Sequence, residues 1–179
     1  MLTLVIGGAR SGKSRYAQSI CSKGPRVTYI ATAHLEDDEM RARVARHRRD
    51  RSAAWLTIEA PLAIADAVIL QAPRTDFILL DCLTLWLSNF CAEHRHLSAE
   101  ELELAASKEV ARLFVPSACS HLVVVTNEVG SGIVPDSPVG RLFRDLQGLV
   151  NQQVAGEADF VYQTVAGIPL RIKPYGGCA

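Results

Sequence analysis

Residues 7–14 read Gly7-Gly8-Ala9-Arg10-Ser11-Gly12-Lys13-Ser14, which satisfies the pattern G-x-x-x-x-G-K-[ST] at every position. The flanks agree with it. Leu2 to Ile6 is a short, continuously apolar run ended by two glycines, and Lys13 to Lys23 has a helical pattern that Gly24-Pro25 stops. Strand, glycine-rich loop and helix in that order make a phosphate cradle. The glycines let the backbone approach phosphate oxygens, and the N–H groups at the helix start receive their negative charge. In such a cradle Lys13 neutralises the β- and γ-phosphates and the Ser14 hydroxyl joins a Mg²⁺ shell. The bland alternative, a glycine-rich turn that merely links strand to helix, needs neither the lysine nor the serine.

Outward from the loop, the chain alternates strand and helix patterns. Arg26 to Ala31 reads as a second strand, and Phe77 to Leu80 as a third that ends at Asp81. His121 to Thr126 reads as a fourth strand, followed by the loop Asn127 to Pro135. Helix patterns cover Asp37 to about Arg51, Pro61 to Gln71 and Ser98 to Phe114. The first has acids at its start and bases at its end, as the helix dipole favours. The last opens with Ser98 and Glu101 at capping-box spacing. Leu142, Leu146, Leu149, Val150 and Val154 fall at helical spacing, and Phe160 to Val165 and Ile168 to Lys173 read as a hairpin turning at Ala166-Gly167. This order predicts an α/β fold: a mostly parallel sheet with helices on both faces, a P-loop after its first strand and an antiparallel C-terminal edge hairpin. No repeat or long linker interrupts the 179 residues, so residues 1–179 read as one domain built around the nucleotide-binding P-loop.

Composition narrows the class. Apolar residues make up 49%, too many for a disordered chain, and 19 basic against 19 acidic residues give no general attraction to nucleic acid or acidic membranes. Cys21, Cys82, Cys91, Cys119 and Cys178 contain no CxxC pair and suit reduced thiols, hence a cytoplasmic protein. The first residues lack a basic stretch of the signal-peptide kind, and no segment has the roughly 20 apolar residues of a membrane span.

Three further features carry candidate chemistry. Asp81, at the end of an apolar strand, is placed to hold Mg²⁺ beside a P-loop, or alternatively to cap the next turn. His47 lies among six arginines (Arg41, Arg43, Arg46, Arg48, Arg49, Arg51) and shares a helix face with Met40 and Val44. Neighbouring cations favour its neutral, nucleophilic imidazole, and they could clamp a polyphosphate. The competing reading is a solvated basic face with a Glu39–Arg43 surface pair. Asn127-Glu128-Val129-Gly130-Ser131-Gly132 follows a strand at the end where α/β sheets bind ligands, unless it is a plain connector. His34, His94, His96 and His121 read as structural or surface residues.

Taken together, these blocks resemble the bifunctional adenosylcobinamide kinase / adenosylcobinamide-phosphate guanylyltransferase family of cobalamin biosynthesis. The resemblance runs almost end to end. It includes GGARSGKS (7–14), IAT (30–32), DDEM (37–40) with Arg43 and His47, and W-x-T-x-E-x-P (55–61). It continues through LLDCLTLWLSN (79–89), TNEVGSGIVP (126–135), R-x-FRD-x-x-G-x-x-NQ (141–152) and GIPLRIK (167–173). Ser52 departs from it, standing where the family often has a proline.

The resemblance implies a RecA-like P-loop core, and phosphorylation of the corrinoid's aminopropanol hydroxyl by ATP or GTP. Transfer of GMP from GTP to that phosphate then follows, through a covalent guanylyl-histidine that falls on His47. It implies nucleotide contacts at Gly7, Gly8, Ala9, Arg10, Ser11, Gly12, Lys13 and Ser14, at Ala31, Thr32 and Ala33, at Arg48, Arg49, Asp50 and Arg51, and at Glu59 and Asp81. Mg²⁺ would be held by Ser14 and Asp81, Lys13 and His47 would be the catalytic pair, and the assembly would be a homotrimer. The partners implied are the corrinoid and the nucleotide, without nucleic acid. The family positions supply no general base for the kinase step, for which Glu128 is a candidate by location. The residues by themselves leave two other readings: a small-molecule P-loop kinase without guanylyl transfer, and a RecA-like nucleic-acid-dependent ATPase.

Overall fold

The computed structural model describes residues 1–33, 52–114 and 121–174. Seven strands, β1 (Leu2–Gly7), β2 (Val27–Ala31), β3 (Leu56–Glu59), β4 (Phe77–Asp81), β5 (His121–Asn127), β6 (Phe160–Val165) and β7 (Ile168–Lys173), form one sheet. Its order is β3-β2-β4-β5-β1-β6-β7. All neighbours pair in parallel except β6 and β7, which form the antiparallel edge hairpin. The described helices are α1 (Lys13–Cys21), α2 (Ile64–Gln71), α3 (Leu83–Glu93), α4 (Ala99–Ala111) and α5 (Pro138–Glu157). Strand β5 lies between the glycine-loop strand and the strand ending in Asp81, the RecA-like layout of a P-loop core.

Period-two alternation along the central strands builds two cores. Leu4, Ile30, Ile78, Leu80, Leu122 and Val124 face α2, α3, α4 and α5, while Val5, Tyr29, Leu79, Val123 and Val125 face α1. With both faces covered, the strands can be apolar throughout, and each fully buried Leu or Ile contributes about 1.5–3 kcal/mol. The capping box of α4 is present, with Ser98 and Glu101 exchanging backbone and side-chain bonds. Ser137 caps α5 through the Gly140 N–H at 3.1 Å, with Pro138 in the first turn.

Some boundaries differ from the sequence expectation. Helix α2 begins at Ile64 rather than Pro61. The carbonyls of Pro61 and Leu62 accept instead from Asn89 Nδ2 at 3.1 Å and Trp86 Nε1 at 2.9 Å. Helix α1 stops at Cys21 rather than Lys23, where the Gly24 N–H turns back to the Cys21 carbonyl at 3.1 Å. The helix expected over Ser98–Phe114 tightens into a 3-10 turn over Arg112–Phe114. Strand β3 and helix α3 are elements that the sequence reading did not assign. The helix expected from Asp37 to Arg51 lies outside the described residues.

Candidate functional site

The carboxyl ends of the parallel strands bring the candidate residues to one edge of the sheet, where α/β proteins bind ligands. Gly7 pairs with Asn127, Asp81 with Val125 and also with Ala31, and Ala31 in turn with Glu59. The glycine loop, Glu128, Asp81, Ala31 and Glu59 therefore stand in a row at the ends of β1, β5, β4, β2 and β3.

The glycine loop is tied on both sides. The Glu128 N–H donates to the Gly7 carbonyl at 3.1 Å, and the Gly167 N–H donates to the Ser11 carbonyl at 2.9 Å. Ser11 Oγ and Thr164 Oγ1 share a buried hydrogen bond at 2.8 Å. Gly12 enters α1 with φ +96°, a left-handed conformation that side-chain-bearing residues rarely adopt. Lys13 is only 8% exposed, and its Nζ donates to the Gly8 carbonyl at 2.7 Å. Its charge thus lies across the loop whose amides would receive phosphate. Ser14, in the first turn of α1, is half-buried.

Asp81 is 8% exposed, and its Oδ2 accepts the Tyr29 hydroxyl at 2.9 Å. The N-cap of α3 is Cys82 rather than Asp81, so the turn-capping alternative does not describe this carboxylate. Its oxygens and the Ser14 hydroxyl are hard donors of the kind Mg²⁺ takes alongside phosphate oxygens. Thr32 is fully buried and spends its side chain on the β4–α3 link: the hydroxyl donates to the Cys82 carbonyl at 2.7 Å and accepts from the Cys82 N–H at 2.8 Å. Its own N–H donates to the Asp81 carbonyl at 3.3 Å and its carbonyl accepts from Asn89 Nδ2 at 2.8 Å. Thr32 therefore fixes the backbone behind Asp81. Glu59 is exposed at the end of the edge strand. His47, Arg48, Arg49, Asp50 and Arg51 lie outside the described residues.

The structure adds a polar cluster that sequence reasoning missed. Thr126 donates to Asn151 Oδ1 at 2.7 Å, and Gln147 Nε2 donates to Thr126 Oγ1 at 3.1 Å and Asn151 Oδ1 at 2.8 Å. Asn151 Nδ2 donates to the Asn127 carbonyl at 3.0 Å, and the Asn127 N–H donates to Thr84 Oγ1 at 2.8 Å. Both backbone groups of Asn127 are thereby held, one residue before Glu128. The i, i+4 spacing of Gln147 and Asn151 on the buried face of α5 was the available signal.

Beside the loop opens a cleft of about 390 Å³, lined by Gly8–Ser11, by Gln163–Ala166 of the hairpin, and by Glu128 and Ser131. Outside this edge, His94 stacks on Phe90 at 4.1 Å between ring centroids, a packing role. Among the described residues, no group of three or more His, Cys, Asp or Glu could hold a metal by itself, and no helix is long and apolar enough to cross a membrane.

The chain is similar to known proteins over nearly its whole length. The family model described as cobinamide kinase / cobinamide phosphate guanyltransferase matches residues 3–172. The bifunctional adenosylcobalamin biosynthesis protein CobU of Salmonella typhimurium is 39% identical, the match covering 97% of this chain and 100% of that one. The protein of the same name from Escherichia coli is 38% identical over 97% of this chain and 100% of its own length. The bifunctional adenosylcobalamin biosynthesis protein CobP of Pseudomonas aeruginosa is 39% identical over 97% of this chain and 98% of its own.

Proposed function

This chain belongs to the cobinamide kinase / cobinamide phosphate guanyltransferase family, and from that premise we propose how its residues divide the two reactions. It phosphorylates adenosylcobinamide with ATP or GTP, then transfers GMP from GTP to the new phosphate, giving adenosylcobinamide-GDP and pyrophosphate. The observation that supports this most is the coincidence of a complete phosphate cradle, tied at both flanks, with a family match over nearly the whole chain.

The triphosphate lies along the amides of residues 8–14, and Lys13 exchanges the Gly8 carbonyl for β- and γ-phosphate oxygens. Ser14 and Asp81 would hold Mg²⁺, which would supply charge neutralisation when bound. In the guanylyl half, the neutral imidazole of His47 attacks the α-phosphorus. A nitrogen–phosphorus bond forms, the bond to the bridging oxygen breaks, and its electron pair leaves on pyrophosphate. The phosphoramidate then passes GMP to the phosphate of the second substrate, while Arg48 and Arg51 hold nucleotide oxygens. Arg49, Asp50, Ala31, Ala33 and Glu59 complete the nucleotide contacts, while Thr32, expected among them, is fully buried and instead holds the backbone behind Asp81. The whole chain, residues 1–179, works as one domain in a cytoplasmic homotrimer.

The test is incubation with Mg²⁺ and GTP labelled at the α-phosphate. Wild type should carry an acid-labile GMP located by mass spectrometry at His47, and His47→Ala should carry none while still phosphorylating adenosylcobinamide. Phosphoryl transfer without any protein-bound GMP in the wild type would leave a kinase alone, with Lys13→Ala abolishing it.

A further inference from the structure

We propose that the cleft between the glycine loop and the β6–β7 hairpin receives the alcohol to be phosphorylated, and that Glu128 is the base that takes its proton. This rests on the kinase half of the function proposed above.

Topology puts Glu128 in the right row. It follows β5, which lies between the strand that carries the phosphate cradle and the strand that ends in Asp81. A γ-phosphate received by the cradle, with Asp81 holding its counter-cation, would therefore lie toward the end of β5. The residue is also fixed rather than dangling. Its N–H is bonded to the Gly7 carbonyl at 3.1 Å, and the preceding Asn127 is held through its N–H by Thr84 and through its carbonyl by Asn151. One carboxylate oxygen, Oε1, accepts the Gly130 N–H, and Arg144 Nη2 holds the Gly130 carbonyl at 2.6 Å. The second oxygen is left for substrate.

Among the described residues lining the cleft, Glu128 is the one carboxylate and Arg10 the one cation. The other acids of the site edge are badly placed for this proton. Asp81 is buried and accepts from Tyr29, and Glu59 ends β3, which three intervening strands separate from the glycine-loop strand. A cleft of about 390 Å³ accommodates an aminopropanol-sized arm and leaves a tetrapyrrole-sized ring outside. In the step itself, the acceptor O–H bond breaks as its proton passes to Glu128. An oxygen–phosphorus bond forms at the γ-phosphorus. The bond from that phosphorus to the β–γ bridging oxygen breaks, and its electron pair stays on the nucleoside diphosphate.

The experiment measures the two half-reactions separately in wild type, Glu128→Gln and Glu128→Asp. Glu128→Gln is expected to lower kcat for adenosylcobinamide phosphorylation by about 100-fold or more, the usual worth of a positioned base, with the KM for nucleotide within about threefold. Protein-bound GMP and transfer to premade adenosylcobinamide phosphate should persist, which also reports on folding. The acidic limb of the kinase pH profile should vanish in Glu128→Gln and return in Glu128→Asp. Near-normal kinase turnover in Glu128→Gln, parallel loss of both half-reactions, or an acidic limb that survives the substitution would each overturn the proposal. A wild type that makes GMP–protein yet phosphorylates no corrinoid would instead remove the kinase half of the function, and this proposal with it.

Discussion

A Cβ placed on Gly12 would stand 3.0 Å from the Cα of Gly167, so the entry to α1 and the tip of the β6–β7 hairpin meet backbone to backbone. Both glycines have left-handed φ, +96° and +85°, and the Gly167 N–H donates to the Ser11 carbonyl at 2.9 Å. The hairpin is thus a brace for the phosphate loop as well as a sheet edge. Gly167→Ala should cost about 1–2 kcal/mol from the left-handed backbone alone. It should also weaken GTP binding several-fold, because the loop loses its support. Thermal unfolding with and without GTP, together with calorimetric binding, checks both effects. An unchanged Kd would mean that the hairpin does not hold the loop.

The cluster around Asn151 makes unequal demands on its members. Asn151→Ala removes the acceptor for Thr126 and Gln147 and the donor to the Asn127 carbonyl. Stranding buried polar groups in this way costs about 1–3 kcal/mol. Gln147 already carries a buried Oε1 without a partner, so Gln147→Met removes that orphan along with two donated bonds. We expect Asn151→Ala to be clearly the more destabilising in denaturant unfolding, and to depress kinase turnover through Glu128. The reverse order of stabilities would contradict this account.

What was legible in the sequence was what is encoded locally. The cradle is eight contiguous residues, the Ser98–Glu101 cap spans one turn, and the hairpin is announced by Ala166-Gly167 between two apolar runs. Strand β3 was missed because it is four residues at the sheet edge with Leu56 exposed, so burial left no alternation to read. Helix α3 was missed because only Cys82 separates it from β4, and the apolar run passes from one period to the other unbroken. The site divides in the same way. Thr32 reaches Cys82 across 50 residues and Thr126 reaches Asn151 across 25, and no local pattern marks either pair. The position of Glu128 after a strand was readable. The cleft it lines was not, because much of its lining comes from Gln163–Ala166, distant in sequence.

His121 links stability to acid. Burial first, then the positive N-terminus, push its imidazole down from 6.5 to about 4, with an opposing pull from Asp159 and a lesser push from Lys23. Its Nε2 shares a 2.8 Å hydrogen bond with Thr3 Oγ1. A base with a depressed folded pKa binds its proton more readily in the unfolded chain. Its contribution is therefore complete above about pH 6.5 and is lost as pH falls toward about 4. The melting temperature should decline across that window, and less steeply in His121→Asn. Equal slopes in the two proteins would place the acid sensitivity elsewhere.

Among the described residues, the two buried thiols act in the opposite pH range. Burial pushes Cys21 up to about 12, and burial with the adjacent Asp81 charge pushes Cys82 up to about 11. The thiolate is the reactive form, so neither residue should react while the protein is folded near neutrality. Peptide mapping after iodoacetamide at pH 8 should find Cys21 and Cys82 unmodified in the native protein and modified in urea. Because the folded pKa values lie above the unfolded ones, these thiols favour the folded state fully below about pH 9. That contribution is lost as pH climbs through 11 to 12, so Cys21→Ala should flatten the alkaline fall in melting temperature. Native labelling of Cys82 would reveal a thiolate stabilised beside Asp81, and would give that position a chemistry the geometry here does not support.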